Sequence, residues 1–330
     1  ASTVTLADFR LPETLGYLER DRPVRLGVNV AEVWNLFAAK SYGSPDNVAA
    51  IAIREALQNS RDACRKAGGG TIRFGLFSDM RAAWFEDTGI GMDADTLQDK
   101  FLVLGASGKQ QEAGAVGGFG VAKAVILSLS DPAQGGHWEI HTRNLALTDE
   151  EVTAEEARIR LVTERRGTRL EWFDISEDAW AGVAGDLGAR RYMRCSDLGN
   201  IRMEEVMEDL KGEVTRPISP LRMARRTPIA EKSFHGGETT LRVYQVDLTR
   251  ENKARARRGE NPIIAIDGWS NVCIRLGGIA QIFTGTRAPG FYVVDVETTA
   301  RPGTDTYPFD PHRTRLKYNL GGIWLRDTLE

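Results

Sequence analysis

Glycine punctuates this chain in clusters, and the clusters decide what the segments between them can become. The 34 glycines among 330 residues exceed the roughly 7% of average usage. They gather at 68–70, 89–91, 105–120, 135–136, 236–237, 277–278 and 321–322. No fixed period relates them, which excludes a solenoid or a collagen-like chain. The segment before the first cluster reads as a helix. Ser44-Pro45-Asp46 supplies a start with proline in the first turn. Asn47–Ala67 is rich in Ala, Ile and Leu, and Gly68-Gly69-Gly70 stops it. Two runs with alternating apolar and polar residues follow at once, Thr71–Ser78 and Arg81–Asp87, and read as strands.

Further on, a helix is expected over Ala94–Leu104, then the glycine-dense segment 105–120, then an apolar helix near Val121–Leu129. Strands are expected at His137–Arg143, Ala157–Thr163 and Thr168–Phe173. Helices and antiparallel-looking strands in this order predict an α+β fold, an α/β sandwich whose antiparallel or mixed sheet carries helices on one face. A weak boundary lies near 174–200. Beyond it, strands are expected near Thr240–Asp247, Pro262–Ile266, Asn271–Leu276 and Phe291–Val296. The length suits about two units of roughly 150 residues. The division is an N-terminal segment 1–44, with Trp34 and Phe37 at helical spacing, then units 45–185 and 186–330.

Composition removes several classes. With 42% hydrophobic and 27% charged residues, the chain is not disordered throughout. No apolar run reaches the ~18 residues of a membrane span. The first ten residues do not read as a signal peptide. Cys64, Cys195 and Cys273 stand far apart with no CxxC pair, which suits a reduced, cytoplasmic compartment. The four histidines lack metal-ligand spacing, so no zinc site is expected. A net charge of −3 predicts no polyanion partner by itself, yet residues 186–330 carry 23 Lys and Arg against 19 Asp and Glu. Arg216, Arg222, Arg225 and Arg226, then Arg250, Lys253, Arg255, Arg257 and Arg258, form two short basic clusters. These suit phosphate backbones, or a solvated face balanced by Glu251 and Glu260.

Four separated motifs carry the chemistry. On the first helix, Glu55, Asn59 and Asp62 share a face. A carboxylate there can orient and deprotonate a water, and an amide oxygen suits a hard cation such as Mg²⁺. The second motif, Asp87-Thr88-Gly89-Ile90-Gly91-Met92, ends a strand. A carboxylate followed by glycines can approach a flat ring edge and accept from an exocyclic amine, although the same residues make an ordinary turn. The third, Gly117-Gly118-Phe119-Gly120-Val121, offers backbone N–H groups at a helix N-terminus, a geometry that binds phosphate. The fourth, Arg166-Gly167-Thr168, opens a strand. No GxxxxGK[ST] occurs, and no parallel βαβ pattern surrounds the glycines, so neither a P-loop nor a dinucleotide fold is expected.

In this order, over about residues 45–175, the motifs resemble the nucleotide-binding fold of the GHKL ATPases: gyrase B, HtpG-type heat-shock chaperones, histidine kinases and MutL. The resemblance implies a Bergerat-type sandwich that binds ATP and Mg²⁺. Asp87 then recognises the adenine amino group, Gly89 and Gly91 shape that turn, and Met92 packs beside the base. Thr168 assists through water, and Asp62 supports. Asn59 ligates Mg²⁺ and Glu55 is the catalytic base. Gly117–Val121 cradles the phosphates, with Ala122 where a further glycine is common. Residues 105–116 resemble a lid, with Ser107 and Lys109 within reach of the phosphates. Glu55 favours the hydrolysing GHL branch over the histidine kinases. In that branch a second, transducer-like α/β domain sends a basic residue to the γ-phosphate, here Lys317 first and Arg313 second. The implied function is slow, ATP-gated lid closure and homodimerisation that acts on a DNA or protein client. The other reading is a nucleotide-gated, chaperone-like binding module with negligible turnover.

Overall fold

The computed structural model describes residues 45–102, 126, 128–130, 135–153, 159–185, 188–209, 212–223, 226–246, 271–310, 313, 315–317 and 321–329. Its central element is helix α1 (Pro45–Lys66), which is buried on every side over residues 51–58, Arg54, Glu55 and Gln58 included. A helix with one apolar stripe needs one neighbour, whereas a helix buried all round lies between layers. The glycine stop holds: the Gly69 N–H bonds the Cys64 carbonyl at 2.9 Å beyond the helix end.

On one side of α1 lies an eight-stranded sheet. Its strands are β1 (Thr71–Phe77), β2 (Ala82–Asp87), β3 (His137–Thr142), β4 (Leu145–Thr148), β5 (Arg160–Leu161), β6 (Thr168–Phe173), β7 (Arg202–Asp209) and β8 (Gly212–Pro217). Across the sheet the order is β5-β4-β3-β6-β2-β1-β7-β8. Every neighbouring pair is antiparallel except β1 with β7. Between the strands stand a π-helical segment (Thr96–Phe101) and a short helix α2 (Asp149–Thr153). Helices α3 (Glu177–Ala184) and α4 (Ala189–Cys195) then pack beside α1. Ile72 and Phe74 point into this layer, together with Phe85. The opposite face carries an ion-pair ladder, with Arg73 on Glu204, Arg169 on Glu86 and Glu171, and Arg160 on Glu139.

The second sheet contains β9 (Ala230–Phe234), β10 (Thr239–Val246), β11 (Val272–Leu276), β12 (Ile279–Thr284) and β13 (Phe291–Thr298), in the order β12-β11-β13-β10-β9. It is mixed, with β11 parallel to β13. Both faces of its centre are covered, which is why Val272–Ile274 and Phe291–Val294 read as apolar runs. Phe291 and Val293 join the core around α1 and α4, whereas Tyr292, Val294 and Val296 join a second core with Tyr307, Phe309 and helix α5 (Ile323–Leu329). The protein is therefore α+β, with two mixed sheets and a helical layer between them.

The edge of the first sheet does not coincide with the boundary expected near residue 185. β7 and β8 belong to that sheet, and β7 pairs with β1 across more than 120 residues of chain. These strands escape local pattern reading because Arg202–Asp209 holds four acidic residues, which are poor strand formers. Tertiary pairing overrides that: Glu205 is buried against Arg190. β4, β9 and β12 were not expected either, and among the described residues of the expected strand 157–163, Arg160–Leu161 form a strand. The expected strand at 262–266, the N-terminal segment 1–44 with Trp34 and Phe37, and most of the helix at 121–129 lie outside the described residues. No helix among the described residues is long and apolar enough to cross a membrane.

Arg275 ties the layers together. It is fully buried on β11 and grips Asp295 of β13 with both arms of its guanidinium, at 2.5 and 2.6 Å. Its third nitrogen donates to the Leu221 and Cys195 carbonyls at 2.7 and 3.4 Å. Arg275→Met should therefore lower stability by about 3–5 kcal/mol, the usual cost of leaving one partner of a buried pair alone. Urea denaturation with an unchanged m-value is the measurement. Arg275→Lys should recover little, because a point charge cannot replace the fork.

Candidate functional site

The strand register assembles the first part of the site. Thr142 on β3, Thr168 on β6 and Asp87 on β2 stand directly opposite one another, so they share one face in a single row. Directly paired residues in a sheet point the same way, and Asp87 faces α1. Its carboxylate accepts from the Gly89 N–H at 2.8 Å and from the Ser60 hydroxyl and the Thr168 N–H. The Thr168 and Thr142 hydroxyls lie 3.0 Å apart. Thr142 also accepts from the Met92 N–H at 2.7 Å, which fixes the turn that follows Asp87.

Asp87 is only 4% exposed. Burial pushes its carboxyl up to about 6 from an ordinary 3.8, against the three hydrogen bonds that hold it down. Such a group is an acceptor that one more donor would stabilise. Ile90 is exposed and Met92 partly buried at the same turn.

The glycines around Asp87 serve contacts that were not foreseen. A Cβ on Gly89 would lie 2.5 Å from the Ala63 carbonyl carbon of α1, so this glycine lets the turn rest on the helix backbone. A Cβ on Gly167 would lie 1.9 Å from the Asp87 carbonyl oxygen, and its φ is +82°. Only glycine meets both conditions there.

The second part of the site is on α1 itself. Glu55 is 3% exposed. Its Oε1 accepts from Arg54 Nη2 at 2.9 Å and from Arg313, which arrives from a hairpin beyond the second sheet. Arg313 also donates to the Gln58 side chain. Burial by itself raises the Glu55 pKa. The charges of Arg313 and then Arg54, with hydrogen bonds from both, outweigh burial and hold the carboxyl below its ordinary range. The hairpin is closed by a bridge between Phe309 and Leu316. The Asp310 and Lys317 N–H groups bond the Arg315 and Pro308 carbonyls at 3.1 and 2.8 Å. At its tip Arg313 has φ +54°, a left-handed conformation that costs a non-glycine residue roughly 1–2 kcal/mol.

The expected residues fall into groups. Asp87, Gly89, Gly91, Met92 and Thr168 come together at one end of the first sheet. Glu55, Asn59 and Asp62 lie along α1 above them, with Asn59 and Asp62 partly exposed. Asp62 lies 3.9 Å from the Arg61 guanidinium, and it is Ser60 that bonds Asp87. Lys317, expected to reach a phosphate, donates to the Thr304 carbonyl at 2.9 Å; Arg313 is the residue of that loop that stands at α1. Ser107, Lys109, Gly117, Gly118, Phe119, Gly120 and Val121 lie outside the described residues, as do Arg225 and the cluster at 250–258. Arg216, Arg222 and Arg226 are exposed.

Sequence reasoning missed Ser60, Thr142, Arg54 and Gln58. The unbroken polar run Gln58–Asp62 in the middle of α1 was the available signal for two of them. The sheet also collects Glu139, His141 and Glu171 within metal-ligand distance, which histidine spacing did not indicate. Their carboxylates are already paired with Arg160 and Arg169 at 2.6 and 2.7 Å. No protein-family model and no curated protein matches the chain.

The raised pKa of Asp87 carries a stability consequence. Between about pH 4 and 6 the folded state holds a proton on Asp87 that the unfolded chain releases, so this group's contribution makes stability fall as pH rises through that window. Asp87→Asn should therefore be more stable than the parent above pH 6, on the order of 2 kcal/mol, with the gain vanishing near pH 4. Thermal melts of both proteins across pH 4–8 measure it. Equal differences at every pH would refute the assignment.

Proposed function

We propose that this chain is a Mg²⁺-dependent ATP-binding and hydrolysing protein of the GHL type. In this reading the first sheet and its helices form a Bergerat-type nucleotide site, and the second sheet forms a transducer-like unit. The observation that carries it is the Thr142–Thr168–Asp87 row beneath α1. A buried carboxylate that wants a donor, beside a glycine turn and two hydroxyls, is what an adenine amino group and its water require. The P-loop and dinucleotide alternatives offer no such acceptor.

The chain's own residues then divide the work. Asp87 accepts from the exocyclic amine, Thr168 and Thr142 hold the water beside it, and Met92 covers the base. Asn59 offers a hard amide oxygen one helical turn beyond Glu55, a donor that fits Mg²⁺. Bound there with the phosphates, the ion would neutralise charge on their oxygens. Glu55 orients the attacking water and takes its proton as the water oxygen bonds the γ-phosphorus and the bond to ADP breaks. Gly117–Val121, Ser107 and Lys109 would surround the phosphates. Lid closure would couple to homodimerisation and to a DNA or protein client.

A second reading, a nucleotide-gated binding module with little turnover, draws support from Glu55 itself. A carboxylate held by two arginines below its ordinary pKa is a weak base. Glu55→Gln should keep ATP affinity within a few-fold and lower phosphate release by about 10²-fold or more, whereas Asp87→Asn should lose ATP binding while remaining folded. Calorimetric titration with ATP and Mg²⁺, beside a phosphate-release assay, tests both. ATP binding with no phosphate release by the parent protein, Mg²⁺ present, would leave only the gated module.

A further inference from the structure

We propose that Arg313 is the positioning residue for Glu55, so that the second sheet governs the chemistry on α1 through one buried ion pair. This rests on the reading of Glu55 as the group that orients the attacking water.

The geometry separates two tasks between two arginines. Arg54 bonds Glu55 Oε1 through Nε and Nη2, at 3.2 and 2.9 Å. Its Nη1 reaches the carbonyls of Arg313 and Gln281, at 3.2 and 3.4 Å. Arg54 therefore grips the backbone of the hairpin tip and of β12. Arg313 sends its side chain the other way, onto Glu55 and Gln58 of α1. Because the tip is held by Arg54, the Arg313 side chain can change partner without release of the hairpin. The anchor beneath is firm, since Tyr307 and Phe309 are buried in the core of the second sheet.

Two further observations mark this junction as more than a clamp. Among the described residues, the buried hydroxyl of Tyr307 and the buried Oε1 of Gln281 have no hydrogen-bond partner. Tyr307 interacts electrostatically with Glu55, Arg313 and Arg54. Purely structural polar clusters are normally satisfied throughout. A spare donor and a spare acceptor beside the pair leave room for a second arrangement of the same groups. Among the described residues, the titratable groups facing Glu55 are Arg54 on its own helix and Arg313 and Tyr307 from the hairpin segment, with Tyr192 of α4 facing Arg54. Of these, Arg313 does most to oppose the effect of burial on Glu55.

The test compares the parent with Arg313→Gln and Arg313→Lys, measuring phosphate release at saturating ATP and Mg²⁺ from about pH 3.5 to 9, a window that includes the region below the ordinary carboxylate pKa where the parent's acid limb lies. At saturation the titration of Asp87, which belongs to binding, does not enter the rate. Arg313→Gln should lower the rate at pH 7 about ten-fold or more. It should also move the acid limb of the profile upward by at least about one pH unit, since burial is then less opposed. Arg313→Lys should restore the limb toward the parent position while recovering only part of the rate, because charge returns without the fork. An Arg313→Gln protein with a lowered rate and an unmoved acid limb overturns the proposal and leaves Arg313 a structural clamp. If Arg313→Gln does not fold, the lysine variant decides: a parental rate shows that the fork does not position Glu55 and overturns the proposal, and a reduced rate with a near-parental limb supports it. A parent protein that releases no phosphate removes the reading of Glu55 itself, and the proposal with it.

Discussion

A carboxylate and two guanidinium groups buried between the two sheets hold the centre of this protein. Glu55, Arg54 and Arg313 cannot be removed from water singly, because an isolated buried charge costs several kcal/mol and shifts its pKa until it is neutral. Together they satisfy one another, and Glu55 stays ionised although almost nothing of it is exposed. That condition makes α1 a helix between layers. It also requires the hairpin at residues 308–317 to reach α1, and so links the far side of the second sheet to the middle of the first. Arg275 repeats the device a layer away, with Asp295 as its partner and two carbonyls for the remaining nitrogen.

Asp87 is the contrasting case. The ion pairs at Glu55 and Arg275 are compensated, whereas Asp87 is buried with hydrogen bonds and, among the described residues, no cation, and its pKa rises instead of falling. A fold selected for stability alone would place a neutral group there. Retaining a carboxylate at the end of β2, with Ser60, Gly89 and Thr168 turned toward it, destabilises the protein near neutral pH and keeps a buried acceptor there. Groups whose environment works against their charge concentrate at functional sites. The two carboxylates on which the proposed chemistry depends thus have opposite environments: one prepared to receive a donor, the other held in its charged form by the neighbouring sheet.

Much of this was readable from local pattern. The proline-led start and triple-glycine stop delimited α1, the alternation of Thr71–Ser78 and Arg81–Asp87 marked β1 and β2, and the residues flanking Asp87 and Thr168 identified one corner of the site. Local pattern failed where stabilisation came from distant partners. β7 is acidic and becomes a strand only because β1 accepts it edge to edge and Arg190 neutralises Glu205. The role of Gly89 was read toward a ligand, and its tightest neighbour is the backbone of Ala63. Lys317 and Arg313 were read as first and second candidates for a phosphate contact, and local pattern did not indicate that Arg313 meets Glu55 and Gln58 of α1.

What the sequence determined by itself is the inventory and its local geometry. Helix periodicity sets Glu55, Asn59 and Asp62 on one face, and a strand end followed by glycines places Asp87 at a turn, because both depend on neighbours within a few residues. Only the tertiary structure decided which charge meets which. The register that aligns Thr142, Thr168 and Asp87 depends on three strands separated by turns and helices. The pairing of Glu55 with Arg313 spans more than 250 residues. Coulomb energy and desolvation depend on distance in space, and chain separation carries no information about either.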